Sequence, residues 1–337
     1  TCGSGHFLIG AYELLLDRWA REAPARDAAW RAVEASKAIH GVDINPFAVS
    51  ISKFRLMVRF MRAAGANRLN EQLPEPKFTV LSGDSLYWGP GEELGGEDNL
   101  AYDEGRKATS TEDPEMLKEV LAPGMYDAVV GNPPYIVVRD KALNTFYRKR
   151  YAPYCKGTYA MTVPFMVVFF NLGNNAIFPR GKKRGAGWVG QITSNSFMKR
   201  EFGAPMVEDL LAYLDLRLVI DTSGAYIPGH GTPTVILVGR NQPPDTQVVR
   251  AVLGIRGEPG RPVDAAYGLV WRAILDGIDR PGTDNTWVSV GDLDRKALSR
   301  HPWSLSGGGA SGTLSTVESA TTLNLDAVAA SIGITCF

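Results

Sequence analysis

Cysteine is scarce. Cys2, Cys155 and Cys336 are the whole complement of a 337-residue chain, and no two of them stand at Cys-x-x-Cys spacing. That distribution argues against a disulfide framework and against structural zinc. A charge surplus is missing too, since 36 basic residues meet 36 acidic ones. Proteins that grip nucleic acid over a broad face often carry a basic surplus, so a phosphate-binding surface here is local or lies outside this chain. No apolar run approaches the roughly 20 residues needed to cross a bilayer. The strongest, Val163 to Leu172, reads as a buried helix. No repeat of fixed period and no restriction-nuclease signature is evident. With no secretion signal in the residues given and no spanning run, the cytoplasm is the expected compartment, although the true start of the protein can lie upstream.

What is present is an alternation of strand and helix signals to about Arg240, with 45% hydrophobic residues. That suits one large α/β domain plus part of a second. The chain opens on Thr1-Cys2-Gly3-Ser4-Gly5-His6-Phe7-Leu8, a glycine-rich turn running into Ala11, Leu14, Leu15 and Trp19 at helical spacing. Glycines let a backbone approach a ligand closely, and a helix start offers free N–H groups. The next glycine is Gly10, so the full Gly-x-Gly-x-x-Gly pattern of a dinucleotide site is absent.

Two acids then follow two strand signals. His40-Gly41-Val42 ends on Asp43, with Pro46 at the first turn of a helix, and Phe78 to Gly83 ends on Asp84. At the carboxyl ends of strands in an open sheet, one acid can hold a ribose and another can accept from an adenine amino group. Helix capping and turn formation explain the same residues equally well when each is taken alone.

A third strand signal, Tyr126 to Gly131, runs into Asn132-Pro133-Pro134-Tyr135. The Asn132 amide oxygen and the Pro133 carbonyl can both accept from one NH2, while Tyr135 offers a stacking face. A conjugated amino nitrogen is a poor nucleophile because its lone pair is delocalised, and two acceptors help localise that pair towards a methyl donor. Pro-Pro is also a plain way to end a strand, so the order of the four segments carries the argument, not this one alone.

In that order the segments resemble S-adenosylmethionine-dependent DNA amino-methyltransferases, and more narrowly the adenine-specific (N6) enzymes of BREX-type phage-defence systems, the PglX type. The resemblance covers roughly residues 1–240 and implies a Rossmann-like class I methyltransferase sheet, mostly parallel with a late antiparallel hairpin. It implies that Thr1, Cys2, Gly3 and Gly5 line the methionine end of the cofactor. Asp43 holds the ribose, Ile44 packs on the adenine, and Asp84 with Ser85 reads the adenine edge. Asn132 and Pro133 hold the target amino group, Pro134 lies near the cofactor, and Tyr135 stacks on an adenine flipped out of double-stranded DNA. Tyr226, before the Gly/Pro-rich turn that contains His230, is the candidate for the second face of the base; packing on the sheet edge is its alternative. The family usually shows a whole strand before the Thr-Cys-Gly turn. The expectation is therefore a fragment lacking the sheet's first strand, with little methyl transfer by the isolated polypeptide.

Cytosine N4 and a glutamine amide present the same NH2 chemistry, and a non-catalytic scaffold of a defence complex is the alternative of another class. Trp88 to Gly124, rich in Gly, Glu and Asp, reads as a long surface loop or a partly disordered one, and the Tyr151 to Thr162 stretch as a cover over the target nucleotide or as ordinary packing. Arg148-Lys149-Arg150, Arg180 with Lys182, Lys183 and Arg184, and Lys199-Arg200 are candidate phosphate contacts or merely solvated runs. On the helix after Asp43, Phe47, Ile51, Phe54, Val58 and Met61 are expected to face the sheet, with Arg55, Arg59 and Arg62 solvated. Residues 241–337 read as linker and the possible start of a target-recognition region, ending Ser/Gly-rich from Ser304 to Gly312.

Overall fold

A computed structural model describes residues 1–66, 68, 72–93, 111–175, 185–229, 231–305 and 307–308. Strands β1 (His40–Asp43) and β2 (Thr79–Ser82) pair in parallel. A six-stranded sheet holds β3 (Ala128–Gly131), β4 (Trp188–Ser194), β5 (Asp215–Asp221), β6 (Thr234–Arg240), β7 (Val248–Gly254) and β8 (Val288–Asp294), in the order β3-β4-β6-β5-β7-β8. Strands β3, β4, β5 and β7 run one way; β6 and β8 run against them. This is the mostly parallel, Rossmann-like α/β arrangement with its late β5–β6 hairpin.

The outer edges of β1 and β3 face one cleft, lined among others by Ile39, Val42, Ala128, Val130 and Phe169. No strand among the described residues lies between them. Val130, within the third strand signal, lines this cleft and is 49% exposed. The glycine turn follows the open edge of β1, where the Cys2 amide donates to the Val42 carbonyl at 3.0 Å.

Helices α1 (His6–Glu22), α2 (Ala28–Ser36) and α3 (Pro46–Ala63) share a core that contains Leu8, Tyr12, Leu56 and Phe60. Helix α3 turns a different face inward from the one expected. Val49, Ser52, Leu56 and Phe60 are buried, whereas Phe47, Ile51 and Phe54 are 78%, 50% and 68% exposed. Apolar residues recur at helical spacing on both faces, so periodicity alone does not choose between them. Close approach does: a Cβ at Gly5 would run into the Ser52 side chain, and only a small residue at 52 lets the glycine turn settle there. Arg55 is correspondingly not solvated, because its guanidinium donates to the Ser4 carbonyl at 2.7 Å.

Of the segment 88–124, helix α4 (Ser85–Trp88) takes the first residue and α5 (Pro114–Val120) forms a helix that the loop reading missed. Asp113 caps α5, and Leu117 is fully buried. Residues 94–110 lie outside the described ones. Helix α6 (Lys141–Arg150) follows the Asn-Pro-Pro-Tyr turn, and α7 (Thr162–Leu172) is buried along nearly its whole length, as its apolar sequence implies. No described helix is long and apolar enough to cross a membrane. Past Arg240 the sheet continues: β7 pairs with β5 and β8 with β7, while α8 (Leu269–Gly277) packs Val270 and Ile274 over Ile220 and Val252. The prolines and glycines between 241 and 262 flank a sheet strand and do not mark a separation there.

Leu56→Ala should lower stability by about 2–5 kcal/mol, and Phe54→Ala by under about 1 kcal/mol, in chemical denaturation. A larger cost at Phe54 would assign α3 the opposite buried face.

Candidate active site

Gly3 and Gly5 both adopt left-handed backbone conformations, with φ of 55° and 81°, which glycine tolerates without the Cβ penalty. The bend aims the Gly3 amide at Asp43, whose Oδ2 accepts from it at 2.8 Å. The other carboxylate oxygen accepts from the Asn45 amide at 2.9 Å. The capping task falls to Asn45, whose Oδ1 accepts from Phe47 N at 3.0 Å, and Asp43 stays half-buried at the strand end with Ile44 beside it. Burial pushes the Cys2 thiol up to about 11, so it is no thiolate at neutral pH.

Register places Asp43 opposite Ser82, and Asp84 follows two residues later on the neighbouring strand end. Asp84 is 3% exposed and Ser85 8%. The Asp84 carboxylate accepts from the Leu86 amide at 2.8 Å and from the Tyr147 hydroxyl at 2.6 Å.

The third turn stands across the cleft. Gly131 ends β3 beneath Phe169, where a Cβ would come within 2.6 Å of the ring. Asn132 is exposed, Pro133 buried, and Pro134 and Tyr135 half-buried. Thr1 Oγ1 donates to the Asn132 carbonyl at 3.4 Å, which joins the glycine turn to the Asn-Pro-Pro-Tyr turn. The Tyr135 hydroxyl donates to Asn132 Oδ1 at 2.5 Å. Burial raises that phenol to about 12, which keeps its proton in place.

Tyr226 lies in the β5–β6 loop, which joins the strands third and second from β3 in the sheet. Its carbonyl accepts from Trp271 Nε1 at 3.3 Å, and the Arg261 guanidinium stands 6.0 Å from its ring centre. Its described contacts therefore come from the chain beyond residue 240. His230 and the cluster at 180, 182, 183 and 184 lie outside the described residues.

Two expected phosphate contacts are committed inside the protein. Arg150 donates to the carbonyls of Leu86, Gly89 and Glu92 at 3.0, 2.7 and 2.8 Å. Arg148 donates to Gly157 O at 2.7 Å and sits 5.4 Å from the Tyr159 ring centre. Lys199 and Arg200 remain exposed. The sequence reading missed Tyr147 altogether, and it missed Gln191 and Thr193, buried polar side chains on β4. Gln191 is registered against Gly131. A buried glutamine within an alternating strand was the available signal.

A glycine turn with open space over Gly3, an acid at each of two adjacent strand ends and an exposed amide across the cleft fit a nucleoside cofactor facing a second substrate. The sheet around them has the Rossmann-like fold of class I methyltransferases. Residues 37–227 match the model of the Eco57I restriction-modification methylase family, and the chain belongs to that family. It is 48% identical, over 318 residues and 92% of its length, to the adenine-specific methyltransferase PglX of Streptomyces coelicolor (strain ATCC BAA-471 / A3(2) / M145). It spans 26% of that relative's length. In fold it is similar to a modification subunit of a putative type I restriction enzyme from Vibrio vulnificus YJ016, with a TM-score of 0.54 at 14% identity over 87% of this chain and 50% of the other.

Gly131→Ala should destabilise the protein by about 1–3 kcal/mol, because the Phe169 ring must shift to admit the new methyl group. Phe169→Leu in the same chain should restore part of the loss in thermal denaturation; no restoration would mean that the contact does not set the turn.

Proposed function

We propose that the protein, in its full-length form, transfers a methyl group from S-adenosylmethionine to N6 of an adenine flipped out of double-stranded DNA, within a restriction-modification or phage-defence system. The observation that carries this reading is the meeting of Thr1 with Asn132 at 3.4 Å, which sets the glycine turn and Asp43 against an exposed amide. The assignments of Thr1, Cys2, Gly3, Gly5 and Pro134 to the methyl-donor side, Asp43 and Ile44 to the nucleoside, and Asp84 and Ser85 to its adenine edge belong to the same proposal. Bound there, S-adenosylmethionine supplies a methyl group on a positively charged sulfur, which departs with the C–S electron pair.

The remaining work falls to this chain. Asn132 Oδ1 and the Pro133 carbonyl accept hydrogen bonds from the two N–H groups of the target amino group and draw its lone pair out of conjugation; as the N–C bond forms and the C–S bond breaks, the surplus N–H proton is lost to solvent. Tyr135, and on the opposite face Tyr226, stack on the extruded base and offset the few kcal/mol that unstacking costs. For Asn132 to serve, the Tyr135 hydroxyl must share or release the oxygen it now contacts at 2.5 Å. Neutral net charge and the internal commitment of Arg148 and Arg150 support placing most phosphate contacts outside the described residues.

Asn132→Ala in the full-length protein should cut methyl transfer by at least about a hundredfold, the scale of losing one preorganised transition-state contact, with cofactor affinity within about threefold. Mass spectrometry of nucleosides and peptides after incubation with labelled cofactor reads the product. Methylation retained at N6 would remove the amino-group grip; label on cytosine or on a glutamine would move the target.

A further inference from the structure

Helix α6 follows the Asn-Pro-Pro-Tyr loop directly, yet its strongest polar contacts run to the turn after β2. The Tyr147 hydroxyl donates to Asp84 Oδ2 at 2.6 Å, and Tyr147 is fully buried. One residue past the helix, the Tyr151 hydroxyl donates to the Leu86 carbonyl at 2.8 Å, beside the Arg150 bond to the same oxygen. The Asp84 turn is thus clamped from a helix 63 residues further along the chain.

We propose that Tyr147 is a positioning residue for the cofactor's purine: by donating to Asp84 Oδ2 it fixes the plane of that carboxylate, and thereby the preference for a cofactor base bearing an amino group. The inference rests on the proposed role of Asp84 as reader of the adenine edge. A carboxylate held by a backbone amide on one oxygen and a hydroxyl on the other cannot rotate about its Cβ–Cγ bond. The plane of the carboxylate therefore keeps one direction, and a carboxylate so fixed can accept from an exocyclic NH2. A base with a carbonyl in place of the amino group would set oxygen against oxygen. Without the Tyr147 hydroxyl, Oδ2 loses its 2.6 Å bond from that helix, and the discrimination the carboxylate provides weakens.

Calorimetry on the full-length protein with S-adenosylhomocysteine and S-inosylhomocysteine, which differ in that one group, tests the proposal. The unmodified protein should prefer the adenine form by roughly tenfold or more, the scale of one hydrogen bond to a charged group. Tyr147→Phe keeps the ring and should weaken the adenine form by roughly tenfold while leaving the inosine form within about twofold. In methylation assays its cofactor KM should rise with kcat little changed. A merely structural lesion would weaken both forms alike and lower the melting temperature, and that result would overturn the proposal. So would an undiminished preference in Asp84→Asn, which would leave N6 methyl transfer itself standing, because that reading is tested separately at Asn132.

Discussion

The amide of Gly3 reaches the Asp43 carboxylate only because the chain bends through a left-handed residue there, and that short bond organises one side of the cleft. A side chain at position 3 would carry strain in the same backbone conformation. The bend leaves Thr1 against the Asn132 carbonyl, so two turns more than a hundred residues apart share one space. Beneath the second turn, Gly131 lets Phe169 approach where any larger residue would be displaced. Close approach of backbones, not a network of side-chain ions, is what builds the cleft.

Much of this was legible in the sequence because it depends on residue types with few substitutes. A glycine turn before a helix, acids at strand ends and Asn-Pro-Pro-Tyr after a third strand are legible as local features whose order carries the reading, and β4, β5 and β6 fall within two residues of the strands the sequence reads at Gly187 to Ile192, Leu216 to Asp221 and Thr234 to Val238. The inward face of α3 was not legible, since its apolar residues cover more than one stripe and packing at Ser52 breaks the tie. Nor were the tasks of Arg148 and Arg150, whose acceptors are main-chain carbonyls and leave no trace in composition. The role of β7 and β8 was hidden for a related reason: proline and glycine mark turns, and a turn within a sheet reads the same as one between domains.

Magnitudes separate the polar contacts that hold the site from those that decorate it. Exposed pairs such as Arg18–Glu22 contribute at most about 1 kcal/mol. Hydrogen bonds to a buried charge are worth about 1.5–3 kcal/mol, and losing one leaves a desolvated group behind. The Tyr147–Asp84 bond is of the second kind, and Arg150 adds three bonds to the carbonyls around the same turn. Helix α6 therefore ties the loop that follows Asn132 to the strand end that follows β2, and a shift on one side must be felt on the other.

The central claim is that an asparagine amide and a proline carbonyl present an adenine amino group to a methyl donor. Sequencing with modified-base detection, on DNA from cells with and without the intact gene, tests it most directly. The account predicts N6-methyladenine at a defined motif only where the gene is intact; identical modification in both, or methylation confined to cytosine, would contradict it.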